Sequence, residues 1–456
     1  MPERNPGAGS GALLVRYVLA LSLCLAGASE SHAELPRRPL LGVRLALATS
    51  GEVEIAEVFA NGSAARAQLQ PGDVLIRVAG ERVTSIPTFQ ATMKRFAVGE
   101  RVEYEIRRAG ERRVIPVELT EFPREVPATY DVLYSVVSTP RGELRSLVSR
   151  PRGAGPFPAV LFIQGVDCSS IERSFAAADP LAQIVEQLTG AGFVVMRVEK
   201  SGVGDSTGPP CVETGLAQET DGFLRALRAL KASPFVDAEN VFLFGASAGG
   251  WVAPVIARAE EVRGILGYAL TAQPFFEYAI ETTRRNARLV PGTDLVALEA
   301  RMRGITRFLH HLLTEQLDPE EILARHRELA GARKELFPNG DDLLFGYRSV
   351  GYFREIAATS WSEAWSALDA PVLAMVGEFD KRTSEEDHRY IADLVNAKHA
   401  GHGSWKVLPR MDHGFALHTT REHAAEAEFK GPFGVQVVLE SVAWMQKQML
   451  DADGAG

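Results

Sequence analysis

One short stretch restricts the fold more than any other. Gly245-Ala246-Ser247-Ala248-Gly249 stands directly after the apolar run Val241-Phe242-Leu243-Phe244 and directly before a helix-forming stretch that begins near Trp251. A strand that becomes a helix within a few residues is a unit of α/β folds, and small residues around Ser247 tolerate a strained turn that leaves its hydroxyl exposed. The surroundings repeat the arrangement: apolar strand candidates at 160–163, 193–198, 241–244, 265–270, 372–376 and 405–408 are mostly separated by helical stretches at 181–188, 220–230, 251–259, 384–395 and 435–449. Strands apolar on both faces, alternating with helices, predict a mostly parallel sheet covered on both sides. Residues 273–366 interrupt the alternation as a long, largely helical insertion between two strands.

The same G-x-S-x-G pattern recurs at Gly204-Asp205-Ser206-Thr207-Gly208, but that copy lies several residues past its strand and runs into Pro209-Pro210-Cys211, so it predicts a loop. A serine hydroxyl is a weak nucleophile until an imidazole takes its proton and a carboxylate fixes the imidazole. His413 follows the last apolar strand and Asp380 follows the one before it, with Glu378 an alternative acid at the same strand end. The order Ser247, Asp380, His413 is that of α/β-hydrolases, and about 320 residues resemble that superfamily, nearest to its lidded esterase and serine aminopeptidase-like branches. The resemblance implies Ser247 as nucleophile, His413 as base and Asp380 as the acid that orients it. It also implies an oxyanion hole built from the backbone N–H of Ala248 and that of Gly165 or Val166, in a loop where Gln164-Gly165 replaces the His-Gly of many relatives. Under it, 273–366 is a helical lid. Phe275, Phe276, Tyr278, Phe308, Phe345, Tyr347, Tyr352 and Phe353 then fit a packed lid core.

The N-terminus reads differently. Arg4 and Arg16 precede an apolar run at 17–28 and then Ser31-His32-Ala33, so residues 1–33 carry the pattern of a cleaved signal peptide. The run is shorter than the ~20 residues a membrane-spanning helix needs. Leu23 before Cys24 departs from a lipoprotein signal. No transmembrane segment is expected after cleavage, and the protein is expected in the periplasm or outside the cell. Of the cysteines, Cys168 and Cys211 then remain in an oxidising compartment, on loops that leave the same sheet edge, and are expected to form a disulfide.

Residues 38–121 alternate short β-rich runs with turns and two short helical stretches, near 63–67 and 87–96. Leu40-Leu41-Gly42-Val43, then Gly62-Ser63-Ala64-Ala65 leading to Leu69-Gln70-Pro71-Gly72-Asp73-Val74-Leu75, resemble a PDZ domain of the bacterial protease-associated kind. That resemblance implies that Leu40, Leu41, Gly42 and Val43 hold the C-terminus of a peptide or protein, unless the chain fills its own groove. Residues 121–127 read as a short linker, after which an α/β-hydrolase domain at 128–450 is expected to fold by itself.

Among the 456 residues, 49 Lys and Arg face 58 Asp and Glu, a net charge of −9 that argues against a nucleic-acid partner. No H-E-x-x-H occurs, the five-residue spacings of His413, His418 and His423 do not suit a metal on a helix face, and 202–208 lacks the Lys of a phosphate loop. Neither metal nor cofactor is expected. The reading is an exported serine hydrolase of small-molecule esters with a PDZ-like module; the alternatives are a peptidase and a non-catalytic adaptor on a hydrolase scaffold.

Overall fold

The computed structural model describes residues 34–48, 50–60, 62–174, 179–290 and 292–453, so the expected signal peptide, with Cys24, lies outside the described residues. The first sheet has strands β1 (Val43–Leu47), β2 (Val53–Val58), β3 (Val74–Val78), β4 (Arg101–Arg108) and β5 (Glu111–Glu118) in the order β1-β2-β3-β4-β5. Helix α1 spans Ile86–Met93. Ile55, Val78, Tyr104, Ile106 and Val117 alternate along the strands into one apolar core, with Phe89 of α1 packed on it. Strand β1 is an edge.

Its entry loop is a close backbone crossing. Gly42 has φ +79°, and a Cβ there would lie 2.6 Å from the Gly62 Cα, so the loop requires glycine. The carbonyls of Leu40, Leu41 and Gly42 accept from Ser63 Oγ, Ala64 N–H and Phe59 N–H respectively. In a trans peptide the N–H lies opposite the carbonyl, so the N–H groups of Leu41, Gly42 and Val43 are turned away from that segment.

The second sheet has eight strands: β6 (Tyr130–Thr139), β7 (Gly142–Pro151), β8 (Phe157–Ile163), β9 (Val194–Val198), β10 (Val236–Ala246), β11 (Gly264–Tyr268), β12 (Val372–Gly377) and β13 (Gly403–Leu408). Their order is β13-β12-β11-β10-β8-β9-β7-β6, parallel from β13 to β9 and antiparallel over β7 and β6. Alternate residues serve opposite cores. Leu161, Ile163, Val241, Leu243 and Ile265 face one core with helices α3 (Leu216–Lys231) and α4 (Gly249–Ala259), whereas Val160, Phe162, Phe242, Phe244 and Leu266 face the other with α2 (Pro180–Gly190) and the helix Gln436–Asp453. Burial on both faces is what makes these strands continuous apolar runs.

Between β11 and β12 the insertion is helical as expected, from Phe275–Arg288 to Trp361–Ser366, with a two-residue strand pair at Leu343–Leu344 and Arg348–Ser349. The hairpin β6–β7 was not expected from the sequence: its second strand buries Arg145, Ser146 and Ser149, which masks the apolar pattern.

The stretch at 121–127 is not a free linker. Pro39–Leu40 pairs antiparallel with Thr120–Glu121, forming a stem from which both chain ends run onto the larger domain. The Arg37 guanidinium donates to the carbonyls of Phe122 (2.8 Å) and Pro123 (3.2 Å), and it pairs with Glu172 (2.6 Å) and Asp205. The Arg38 N–H donates to Asp205 at 2.9 Å. Glu125 takes both terminal nitrogens of the buried Arg197, at 3.0 and 2.7 Å. Residues 37–38 and 122–125, on either side of the smaller sheet, are thus bonded to residues of the α/β domain.

Candidate active site

Strand β10 ends at Ala246 and α4 begins at Gly249, so Ser247 occupies the turn between them with φ +51°, a strained value for a residue with a side chain. Its N–H donates to the Tyr268 carbonyl (2.9 Å) and its carbonyl accepts from Gly250 (2.9 Å), which holds the turn. The turn tolerates only small neighbours: a Cβ on Gly249 would sit 2.2 Å from the Ile163 carbonyl oxygen.

His413, past β13, brings Nε2 to 3.0 Å from Ser247 Oγ and Nδ1 to 2.9 Å from Asp380 Oδ2. These contacts fit an imidazole that donates from Nδ1 to the carboxylate and accepts the serine proton at Nε2. Asp380 is saturated: Oδ1 accepts from the N–H groups of Arg382 (2.7 Å) and Thr383 (3.0 Å), and Oδ2 also accepts from Thr383 Oγ1 (2.9 Å). Glu378, the alternative acid, is exposed and accepts from the Arg410 N–H instead. Ser206, in the second motif copy, accepts from the Arg145 N–H at 2.8 Å and is buried in the sheet-edge loop.

Burial alone would raise the Asp380 carboxyl, but the His413 imidazole and the Thr383 and Arg382 N–H groups outweigh it and hold the group at about 2, below its ordinary 3.8. A carboxyl depressed on folding stabilises the fold above its unfolded value. The contribution, about 2 kcal/mol, is thus present above about pH 4 and lost as pH falls through about 2. Asp380→Asn is expected to lower the melting temperature at pH 6, with the difference from the parent protein shrinking as melts are repeated toward pH 2.

Asp412 and His418, to which the sequence assigned no site role, shape the His413 loop. Asp412 Oδ1 accepts from Gly414 (2.8 Å) and Ala416 (2.9 Å), while its Oδ2 accepts from Phe429 N–H (2.8 Å) and lies 2.8 Å from Nε2 of the buried His418. The acid directly before His413 was the one available signal.

Val166, Ser247 and Ala248 line a cavity of about 380 Å3. Its walls include Trp251, Phe275, Tyr278, Phe345 and Phe353, so part of the lid's aromatic set faces open space, whereas Phe308 and Tyr352 are fully buried. At one end Arg382 donates to both oxygens of Glu428, at 3.0 and 3.2 Å, and Lys381 pairs with the same carboxylate at 3.2 Å. Gly165 packs against Ser247: a Cβ there would lie 3.4 Å from that of Ser247. Cys168 and Cys211 form a disulfide that joins the loop after β8 to the loop after β9. Among the described residues, no group of three or more His, Cys, Asp or Glu is arranged to hold a metal, and no helix is long and apolar enough to cross a membrane.

Residues 39–119 match the family described as PDZ domain. Esterase EstD of Thermotoga maritima is 24% identical over 304 residues, 66% of this chain; the chain spans 65% of the length of that curated relative. Solved structures that are similar include Est1E from Butyrivibrio proteoclasticus with bound ferulic acid (17% identity, 68% of this chain and 99% of that one, TM-score 0.42). A thermophilic esterase from Thermogutta terrifontis is similar at 19% identity (70% of this chain, 99% of that one, TM-score 0.39). Residues 39–119 thus match a PDZ domain, and the remaining described residues fold as a mostly parallel α/β sheet with a helical insertion between β11 and β12.

Proposed function

We propose that the protein is an exported serine hydrolase that cleaves carboxylic esters at Ser247. The observation that carries this reading is the continuous relay from Asp380 through His413 to Ser247 beside an apolar cavity. As Ser247 Oγ attacks the ester carbonyl, His413 Nε2 takes its proton, and Asp380 keeps the Nδ1–H in place. The tetrahedral oxyanion is met by backbone N–H groups, from Ala248 and from Val166, which lines the cavity whereas Gly165 does not. The alcohol leaves with the proton from His413, and water releases the acyl group by the reverse sequence.

The aromatic walls suit an apolar acyl or alcohol group. An aminopeptidase would need a free acidic group for the substrate ammonium, and Glu428, the carboxylate lining the cavity, is already taken by Arg382 and Lys381. The similarity to Esterase EstD points the same way. For the PDZ domain, the edge strand β1 and the turned-out N–H groups of Leu41, Gly42 and Val43 support capture of a peptide or protein C-terminus as an added strand. Export is supported by the N-terminal pattern and by the disulfide.

Purified protein assayed on p-nitrophenyl esters and aminoacyl p-nitroanilides tests the reading. Esters are expected to exceed anilides by about 100-fold or more in kcat/KM, well beyond the tenfold that 1.4 kcal/mol of barrier represents. Faster anilide cleavage would make it a peptidase.

A further inference from the structure

The loop after β8 is gripped from behind by three charged side chains that the relay does not use. Lys200, two residues past β9 and 4% exposed, donates to the carbonyls of Gly165 and Asp167 (3.1 Å to the latter). Arg348, from the lid strand pair and fully buried, donates to the Val166 carbonyl at 3.3 Å and to the Thr214 carbonyl at 2.9 Å. Glu219 of α3 pairs with both cations, at 3.2 Å from Lys200 Nζ and 2.8 Å from the Arg348 guanidinium. Three successive carbonyls are thus held by cations that are themselves out of water. Taking two cations out of water is costly, so such an arrangement does not persist for surface solubility.

Peptide planarity gives the grip a consequence. The Gly165 carbonyl and the Val166 N–H belong to one rigid unit and point in opposite directions. Whatever fixes the carbonyl fixes the N–H. A cation on the carbonyl oxygen also draws charge through the amide and strengthens its N–H as a donor.

We propose that Lys200, Arg348 and Glu219 form a buried positioning network that aims the Val166 N–H at the developing oxyanion and ties that aim to the lid through Arg348. The inference rests on the ester-hydrolase reading above and names residues outside it. Lys200 sets the Gly165–Val166 peptide, Arg348 sets the next peptide and carries the lid's contribution, and Glu219 keeps the two cations together.

The test uses full-length protein with Lys200→Gln, which keeps one donor, and Arg348→Lys, which keeps the charge beside Glu219 but loses the fork. Each variant is first checked for a cooperative melt. Should one fail to fold, the other reads the same hypothesis. Turnover of p-nitrophenyl acetate is expected to fall about 10- to 100-fold in kcat, below the 10²–10³ for outright removal of an oxyanion donor, with KM within about twofold.

An aryl trifluoromethyl ketone supplies the readout that a general structural role would not move. Ser247 Oγ adds to its carbonyl carbon, the proton passes to His413, and the carbonyl oxygen becomes the oxyanion. Its inhibition constant should rise by the same factor as kcat falls, while that of the corresponding aryl alcohol stays unchanged. Lys200→Arg should recover part of both losses. Folded variants with parental kcat and ketone affinity, or with lost kcat at unchanged ketone affinity, would overturn the proposal. If the parent protein neither turns over esters nor binds the ketone through Ser247, the ester-hydrolase reading fails first, and that outcome is distinct.

Discussion

Ser247→Ala is expected to lower ester turnover by about four to six powers of ten, while Ser206→Ala keeps most of it. The two serines stand in the same literal motif, and their surroundings separate them. Ser247 has a strained backbone, an imidazole at 3.0 Å and open space beside it. Ser206 is buried and accepts a main-chain hydrogen bond from Arg145 at the sheet edge. Loss of that bond should cost about 1 kcal/mol of stability and little chemistry. His413→Ala should match Ser247→Ala rather than add to it, because members of one relay do not contribute independently. Comparable losses in the two serine variants would mean that the elbow is not the reacting site.

The second large effect concerns the joint between the domains. Arg37→Met should destabilise the protein by about 3–5 kcal/mol, because it leaves Glu172 and Asp205 buried with their main partner gone. For a chain of this size that corresponds to a fall in melting temperature of roughly 5 °C. The same contacts bear on truncation. A protein beginning at Val126 lacks Arg37, Arg38 and Glu125, so Asp205, Glu172 and Arg197 would all lose partners, and it is not expected to melt cooperatively. A chain that keeps 34–38 and 122–125 and replaces 41–119 by a short turn preserves every one of these pairs and should fold. Equal stability of the two truncations would show that the clasp is not needed.

Much of the α/β domain was readable because its strands are buried on both faces, which turns them into apolar runs such as Val241-Phe242-Leu243-Phe244. Chain order then selected Asp380 and His413 from many acids and ten histidines. What escaped was polar and long-range. Arg145 looks like a surface residue until residues 34–38 and the 199–206 loop surround it. Lys200 and Arg348 lie nearly 150 residues apart, and only folding shows that both grip the loop after β8. Glu121-Phe122-Pro123-Arg124-Glu125 has the composition of a linker, yet Arg37 and Arg197, far away in sequence, convert it into a fixed strap. Pattern reports which residues are apolar; it does not report which charges will find partners.

Ser247 as an activated nucleophile is tested by covalent labelling. Folded protein is treated with a fluorophosphonate and digested, and the modified residue is located by mass spectrometry. One adduct on Ser247 is predicted, absent from His413→Ala and suppressed by competing p-nitrophenyl ester. No adduct on folded protein, or an adduct on Ser206 or another serine in place of Ser247, would contradict the account.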